Sequence, residues 1–207
     1  MPDPVGVADA VRRRRMVRAF TDEPVAPELV DGLVDLMRRA PSAGNAQGIA
    51  VVALEGSEQT DRYWDITLPA DRRAGFRWPG LLTAPVLIVV LMRPEAWVER
   101  YAEADKAGTG LGERRSDWPV PYWWVDAGMA VEHLLLGAVD AGLGACFFGL
   151  FVHEQAVLAE LRVPPGWRAV GTVALGHPAP DEPGRSASRG RRSLDEILHR
   201  GGWGGHA

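Results

Sequence analysis

The sequence predicts a mixed helix-and-strand globular fold, and three observations carry that expectation. Hydrophobic residues make up 46% and charged residues 24% of the 207 positions, an ordinary globular balance rather than a disordered one. A continuous apolar run at Pro85 to Met92 suits the centre of a sheet. A stretch from Tyr122 to Ala141, apolar nearly all round, suits a helix buried in a core or in a subunit interface. No Ser/Gly/Pro linker divides the middle of the chain, so residues 1–207 are expected to form a single domain.

Each element follows from local chemistry. A first helix is expected from Val5 to about Arg14, followed by an extended stretch through Arg18, Phe20 and Pro24. Pro27 suits the first position of a second helix, whose buried stripe is Leu29, Val30, Leu33, Leu36 and Met37 and which ends before Pro41. Ile49 to Glu55 reads as a strand, Ser57 to Thr67 as a weak helix, and about 68–80 as irregular. After the Pro85 to Met92 strand, Pro94 to Lys106 fits a helix and 107–121 a loop rich in Gly, Ser and Pro. Gly142 and Gly144 would end the long apolar helix. A short strand at Ala145 to Phe148, a short helix at Val152 to Leu161 capped by His153, and a strand at Ala169 to Gly176 complete the order. A polar tail follows at 178–192, then a helical turn at Ser193 to His199 and a Gly-rich end at 200–207 holding Trp203.

Composition removes several function classes. The net charge of −4 argues against general nucleic-acid binding. Lys106 is the only lysine, and no P-loop signature is present, which disfavours lysine chemistry. Cys146 is the only cysteine, so no intrachain disulfide is possible. No secretory signal is visible, and the longest apolar run is too short to span a bilayer, so a soluble cytoplasmic protein is the expectation. The five histidines show no metal-ligand spacing, and no Gly-x-Ser-x-Gly elbow exists. Gly108 to Gly112 is glycine-rich, but no apolar strand precedes it, and it reads as loop.

What stands out is arginine near both ends. Arg12, Arg13, Arg14, Arg15 and Arg18 form a front cluster, and Arg185, Arg189, Arg191 and Arg192 a rear one. Between them lies a turn from Pro41 to Gln47. A guanidinium fork matches phosphate bidentately, so together they suggest an anionic cofactor gripped by distant segments.

Four motifs in order resemble those of the FMN-dependent nitroreductase family. They are Arg14-Arg15-Met16-Val17-Arg18-Ala19-Phe20, Ala40-Pro41-Ser42-Ala43-Gly44-Asn45-Ala46-Gln47, Gly142-Leu143-Gly144-Ala145-Cys146-Phe147-Phe148-Gly149, and Ala174-Leu175-Gly176-His177-Pro178 with Arg189 to Glu196. The similarity covers nearly the whole chain. It implies an α+β fold around a mostly antiparallel central sheet flanked by helices, in an intertwined homodimer with two FMN sites at its interface. Met16 stands where the family usually has Ser, Gly48 and Ile49 where many members have Pro-Trp, and Phe147 where Trp is frequent.

The resemblance also implies roles. Arg14, Arg15 and Arg18, with Arg189 or Arg191, would meet the phosphate, and Met16, without the usual hydroxyl, would lie among the cofactor-binding residues. Asn45 would meet the pyrimidine edge, with Ser42 and Gln47 nearby and Gly44 permitting a positive φ or a close approach. An Asx turn that merely ends a helix is the other reading of Asn45. Phe147, Phe148 and Gly149 would lie along the ring near N5, where a backbone N–H stabilises developing charge. No ionisable catalytic side chain is required. Tyr101, Trp123 and Trp124 gather around the 107–121 loop, either as a substrate lid or as ordinary aromatic packing. Cys146 reads as a small buried residue and His133 as a hydrogen-bonded core or interface residue.

The expected function is transfer of hydride from NAD(P)H through FMN to an electron-poor small molecule, by a ping-pong mechanism. The acceptor would be a nitroaromatic, a quinone or an activated alkene. The alternatives are a specialised flavin enzyme of the same superfamily, performing reductive dehalogenation or flavin fragmentation, and a non-enzymatic module binding anions or nucleic acid. Neither a membrane nor a nucleic acid is expected as partner.

Overall fold

The computed structural model describes residues 5–181, 184 and 188–205; Arg185 of the rear cluster and His206 lie outside them. The fold is α+β, built on a wholly antiparallel four-stranded sheet. Its strands are β1 (Ile49–Glu55), β2 (Val86–Met92), β3 (Gly144–Phe148) and β4 (Arg168–Gly176), in spatial order β1-β2-β4-β3. The apolar run Val86–Met92 is buried along its whole length because it pairs on both edges and is covered on both faces.

The two-residue strand period sorts β2 into two cores. Val86, Ile88 and Val90 face a cluster shared with α2 (Pro27–Met37) and α6 (Tyr122–Asp140). Leu87, Val89 and Leu91 face a second cluster with α3 (Ser57–Thr67) and α7 (Glu154–Glu160). Burying each such side chain stabilises the fold by about 1.5–3 kcal/mol. In the second cluster the Tyr63 hydroxyl shares a 2.9 Å hydrogen bond with Thr172, and burial pushes the phenol up to about 12. A third cluster, of Met92, Ala96, Trp97, Trp118 and Trp123, fills one end of the sheet.

The remaining helices are α1 (Val7–Arg13), α4 (Ala70–Arg73) and α5 (Glu95–Tyr101). The α5 helix is shorter than the expected Pro94 to Lys106. Arg100 pairs with Glu103 and Asp105, and the chain turns at Glu103 and Lys106 instead of continuing. The 68–80 stretch is less irregular than expected, holding α4 and the start of a one-turn 3-10 helix at Pro79–Leu81. His153 makes no side-chain cap on α7; a 3-10 turn at Phe151–His153 leads in. The Ser193 to His199 segment makes the expected single turn, with the Leu198 N–H donating to the Leu194 carbonyl at 2.8 Å.

Two contacts set up the front and rear of the chain. Met16 bridges in parallel to Ala145, and the Val17 N–H donates to the Ala145 carbonyl at 2.9 Å, so residues 16–18 flank the open edge of β3. Phe20 bridges to Pro178, Ala179 N–H donates to Ala19, and Asp181 accepts the Arg18 N–H at 2.7 Å. No described helix is long and apolar enough to cross a membrane.

Candidate functional site

The β3 edge separates two concavities, and the front arginines divide between them. The first is a cleft of about 330 Å³ walled by Arg13, Arg14, Arg15, Val139, Gly142 and Gly144. The guanidinium groups of Arg13, Arg14 and Arg15 border it, but Arg14 is already engaged. Its Nε lies 3.4 Å from Glu132 on α6, so a phosphate would have to compete with that carboxylate. Arg15 is exposed.

The second concavity, about 340 Å³, opens beyond the other side of β3 and contains Arg18, Phe147, Phe148 and Gly149. Its walls are aromatic: Trp64 stacks on Phe148 with centroids 5.9 Å apart and planes 16° apart, and Phe76 and Trp78 close another side. Arg18 lies over the Trp78 ring at 5.1 Å and Arg77 at 4.5 Å. Arg18 has no carboxylate within ion-pair distance among the described residues; its Nη1 donates to the Met16 carbonyl at 3.2 Å. The Cys146 thiol also lines this cavity, and burial pushes its pKa up, which keeps it a protonated, poor nucleophile.

Backbone donors along β3 are partly committed. Residues 145 and 147 face the open edge, and the Phe147 N–H donates to the Met16 Sδ at 3.4 Å. Met16, which replaces a hydroxyl residue of the resembling family, thus occupies the donor that Phe147 would otherwise present. Gly149 is the next edge residue, and its N–H makes no hydrogen bond within the described residues. The Phe147 ring packs over Gly171, where even a Cβ would sit 2.4 Å away.

The Pro41 to Gln47 turn stands apart from both concavities, at the N-terminal end of α6. Gly44, Asn45 and Gln47 have φ of 62°, 58° and 51°. Asn45 and Gln47 are exposed, and the Ser42 Oγ accepts the Gln47 N–H at 3.2 Å. Tyr101 packs against Gly44. Of the aromatic residues expected at the loop, Tyr101 and Trp123 stay in one cluster, joined through Trp118, and Trp124 lies apart. Trp123 is buried in the third core cluster, and Tyr101 meets Trp118 edge-on at 4.7 Å. Trp124 is half-exposed beside Arg168. The His133 Nδ1 lies 3.3 Å from the Leu36 carbonyl. Arg189 and Arg191 are exposed on the tail, whereas Arg192 pairs with Glu196. No group of three or more metal-ligating side chains gathers among the described residues.

Sequence reasoning missed Asp126, Arg100, Arg77 and Trp78. The single acid in the apolar first half of α6, residues 122–131, was the available signal for Asp126.

The molecule is an α+β domain with an antiparallel sheet whose edge strand runs between an arginine-lined cleft and an aromatic cavity. The Nitroreductase family matches residues 11–177, and the chain belongs to that family. An FMN reductase [NAD(P)H] of Bacillus subtilis is 26% identical over 194 residues, covering 93% of this chain and 72% of the relative. A 5,6-dimethylbenzimidazole synthase of Rhodobacter capsulatus is 27% identical over 203 residues, covering 95% and 90%. A solved structure from Desulfovibrio desulfuricans, described as a nitroreductase in complex with FMN, superposes with a TM-score of 0.68 at 26% identity, covering 94% of this chain and 95% of that one.

Proposed function

We propose that the protein is an FMN-dependent oxidoreductase that takes hydride from NAD(P)H and reduces an electron-poor small molecule in alternating half-reactions. The observation that carries this is the arrangement along β3: arginines at one end, an aromatic cavity at the other, and Met16 to Arg18 between them. These residues fit a molecule with an anionic tail and a flat ring bearing acceptors. Among the described residues, Arg18 brings a cation without a carboxylate at ion-pair distance, and Gly149 an uncommitted backbone donor. FMN, when bound, supplies the electron transfer through its ring.

The chain's own residues then bind and orient. Arg14 and Arg15, with Arg189 or Arg191 from the tail, would hold the phosphate, Arg14 exchanging Glu132 for it. Arg18 and the Gly149 N–H would meet the ring, while Phe148 and Trp64 would keep water from it. Asn45, with Ser42 and Gln47, would take the pyrimidine edge, and Tyr101, Trp123 and Trp124 would border the acceptor.

The turn sits beside Asp126, whereas the arginine cleft reaches Val139 on the same helix. At about 1.5 Å per residue these points are ~20 Å apart along α6. A second copy of the chain would bring its turn to the first copy's β3 edge, so a homodimer is part of the reading. The expected compartment is the cytoplasm, in keeping with the lone Cys146.

The test is spectroscopic. The purified protein should bind FMN stoichiometrically, and NADPH or NADH should bleach the visible flavin band until a quinone or nitroaromatic restores it. A protein that neither takes up FMN nor bleaches would refute the reading. The dimethylbenzimidazole synthase among the relatives motivates a second reading, flavin fragmentation. It predicts no steady-state turnover of quinones or nitro compounds, and loss of the flavin chromophore under oxygen.

A further inference from the structure

The Ser42 to Gln47 turn is strained. Three of its residues, Gly44, Asn45 and Gln47, lie in the left-handed region, with Ala46 at φ −65° between the last two. Asn tolerates that region, but Gln does so at a cost, and such a backbone persists only where its surroundings over-determine it. The surroundings here are specific. Asp126 is 1% exposed, and its Oδ2 accepts two hydrogen bonds of 2.7 Å, from the Ala43 N–H and from the Trp97 indole N–H. From the opposite side, the Arg100 Nε donates to the Gly44 carbonyl at 2.7 Å, while its Nη1 and Nη2 are held by Asp105. Trp97 in turn packs so closely on Gly48 that a Cβ there would meet its ring at 2.3 Å.

A carboxylate removed from water is costly unless donors satisfy it, and these two donors come from the turn and from the helix beneath it. One oxygen therefore ties the turn's N–H side to α6 and α5, and one guanidinium ties its C=O side to α5. The tip that the clasp leaves exposed carries two carboxamide residues, Asn45 and Gln47.

We propose that Asp126 and Arg100 are positioning residues that jointly fix the backbone of the Asn45 turn, presenting its carboxamides ready-made to the ligand's amide-like edge. The proposal rests on the reading of Asn45 as a flavin contact. The cofactor then binds without first ordering the turn, and losing either clasp makes binding bear that ordering.

The variants are Asp126→Ala, Asp126→Asn and Arg100→Ala, each measured in two ways: FMN Kd with the bound-flavin absorption spectrum, and amide hydrogen exchange of residues 43–47 without FMN. Asp126→Ala and Arg100→Ala should each weaken FMN binding about tenfold, shift the bound-flavin bands and speed exchange in the turn. Asp126→Asn keeps an oxygen acceptor for both donors and should rescue affinity to within about threefold. Folded Asp126→Ala protein with unchanged Kd, spectrum and exchange would overturn the proposal. Should Asp126→Ala fail to fold, Arg100→Ala decides, because its side chain pairs at the surface, and an unchanged Kd and spectrum there has the same force. Wild-type protein that takes no FMN removes the flavin reading, and the exchange rates then judge the clasp alone.

Discussion

Arg18 is held by its surroundings, and among the described residues no carboxylate lies within ion-pair distance of its guanidinium. Its backbone N–H donates to Asp181, its guanidinium lies over Trp78 and donates to the Met16 carbonyl, and Gly184 leaves room beside it, since a Cβ there would lie 3.2 Å from Nη1. A guanidinium held in place in this way suits an anionic or acceptor-bearing ligand. Arg18→Ala should therefore raise the FMN Kd by about tenfold, the worth of one charge-assisted hydrogen bond, and Arg18→Lys should restore only part of it. Equal affinity of Arg18→Ala and wild type in a fluorescence titration would remove Arg18 from the site. At this scale, the candidates legible in the sequence were those whose residue type carries the chemistry, such as Arg14, Arg18 and Asn45. Asp126 and Arg100 were not, because their importance comes from burial and from partners 83 and 56 positions away.

At the scale of elements, legibility followed the strength of the local pattern. The β1 and β2 strands and α6 lie almost where their apolar patterns put them, because an uninterrupted apolar run has only buried solutions. The end of α5 was missed because Arg100 bends the chain through side-chain pairs that helical periodicity does not encode. A similar pair joins α7 to β4: Arg168 binds Glu154 through both oxygens at 2.7 and 3.0 Å, and the Ala169 N–H donates to the same carboxylate at 2.9 Å. The Arg168 hydrogen bond is the main reason the Glu154 carboxyl lies below its ordinary 4.5; burial pushes the other way, and the Ala169 N–H assists Arg168. A depressed native pKa means the folded state prefers the ionised group. The resulting stabilisation is complete above the unfolded value and disappears as pH falls through the folded one. Glu154→Gln should therefore melt below wild type at neutral pH, and the two curves should converge as the pH drops below about 4. A gap that stays constant from pH 7 to pH 3 in thermal denaturation would show that the pair contributes nothing through its charge.

For the whole molecule, the question is what covers the outer side of α6. Its inner side packs on α2, β2 and β4, yet Val125 and Gly128 are exposed and Met129 and Leu136 are only half-buried. A largely apolar stripe of this kind along the longest helix, interrupted by Glu132, with the clasped turn at one end and the arginine cleft at the other, suits pairing with a second copy. Gly128 offers a clean probe, because a Cβ there meets nothing within 4 Å inside the protomer. Gly128→Trp should leave the protomer's fold intact, and replacing a mid-helix glycine should not harm the helix itself. A bulky ring on that stripe would nevertheless block a close approach of two helices. Sedimentation velocity should show wild type as a dimer and Gly128→Trp shifted toward monomer, with circular dichroism unchanged. FMN affinity should fall in parallel, because a protomer alone would keep the turn and the β3 edge apart. A monomeric Gly128→Trp that binds FMN as tightly as wild type would mean that one chain completes the site by itself, and that the turn acts elsewhere.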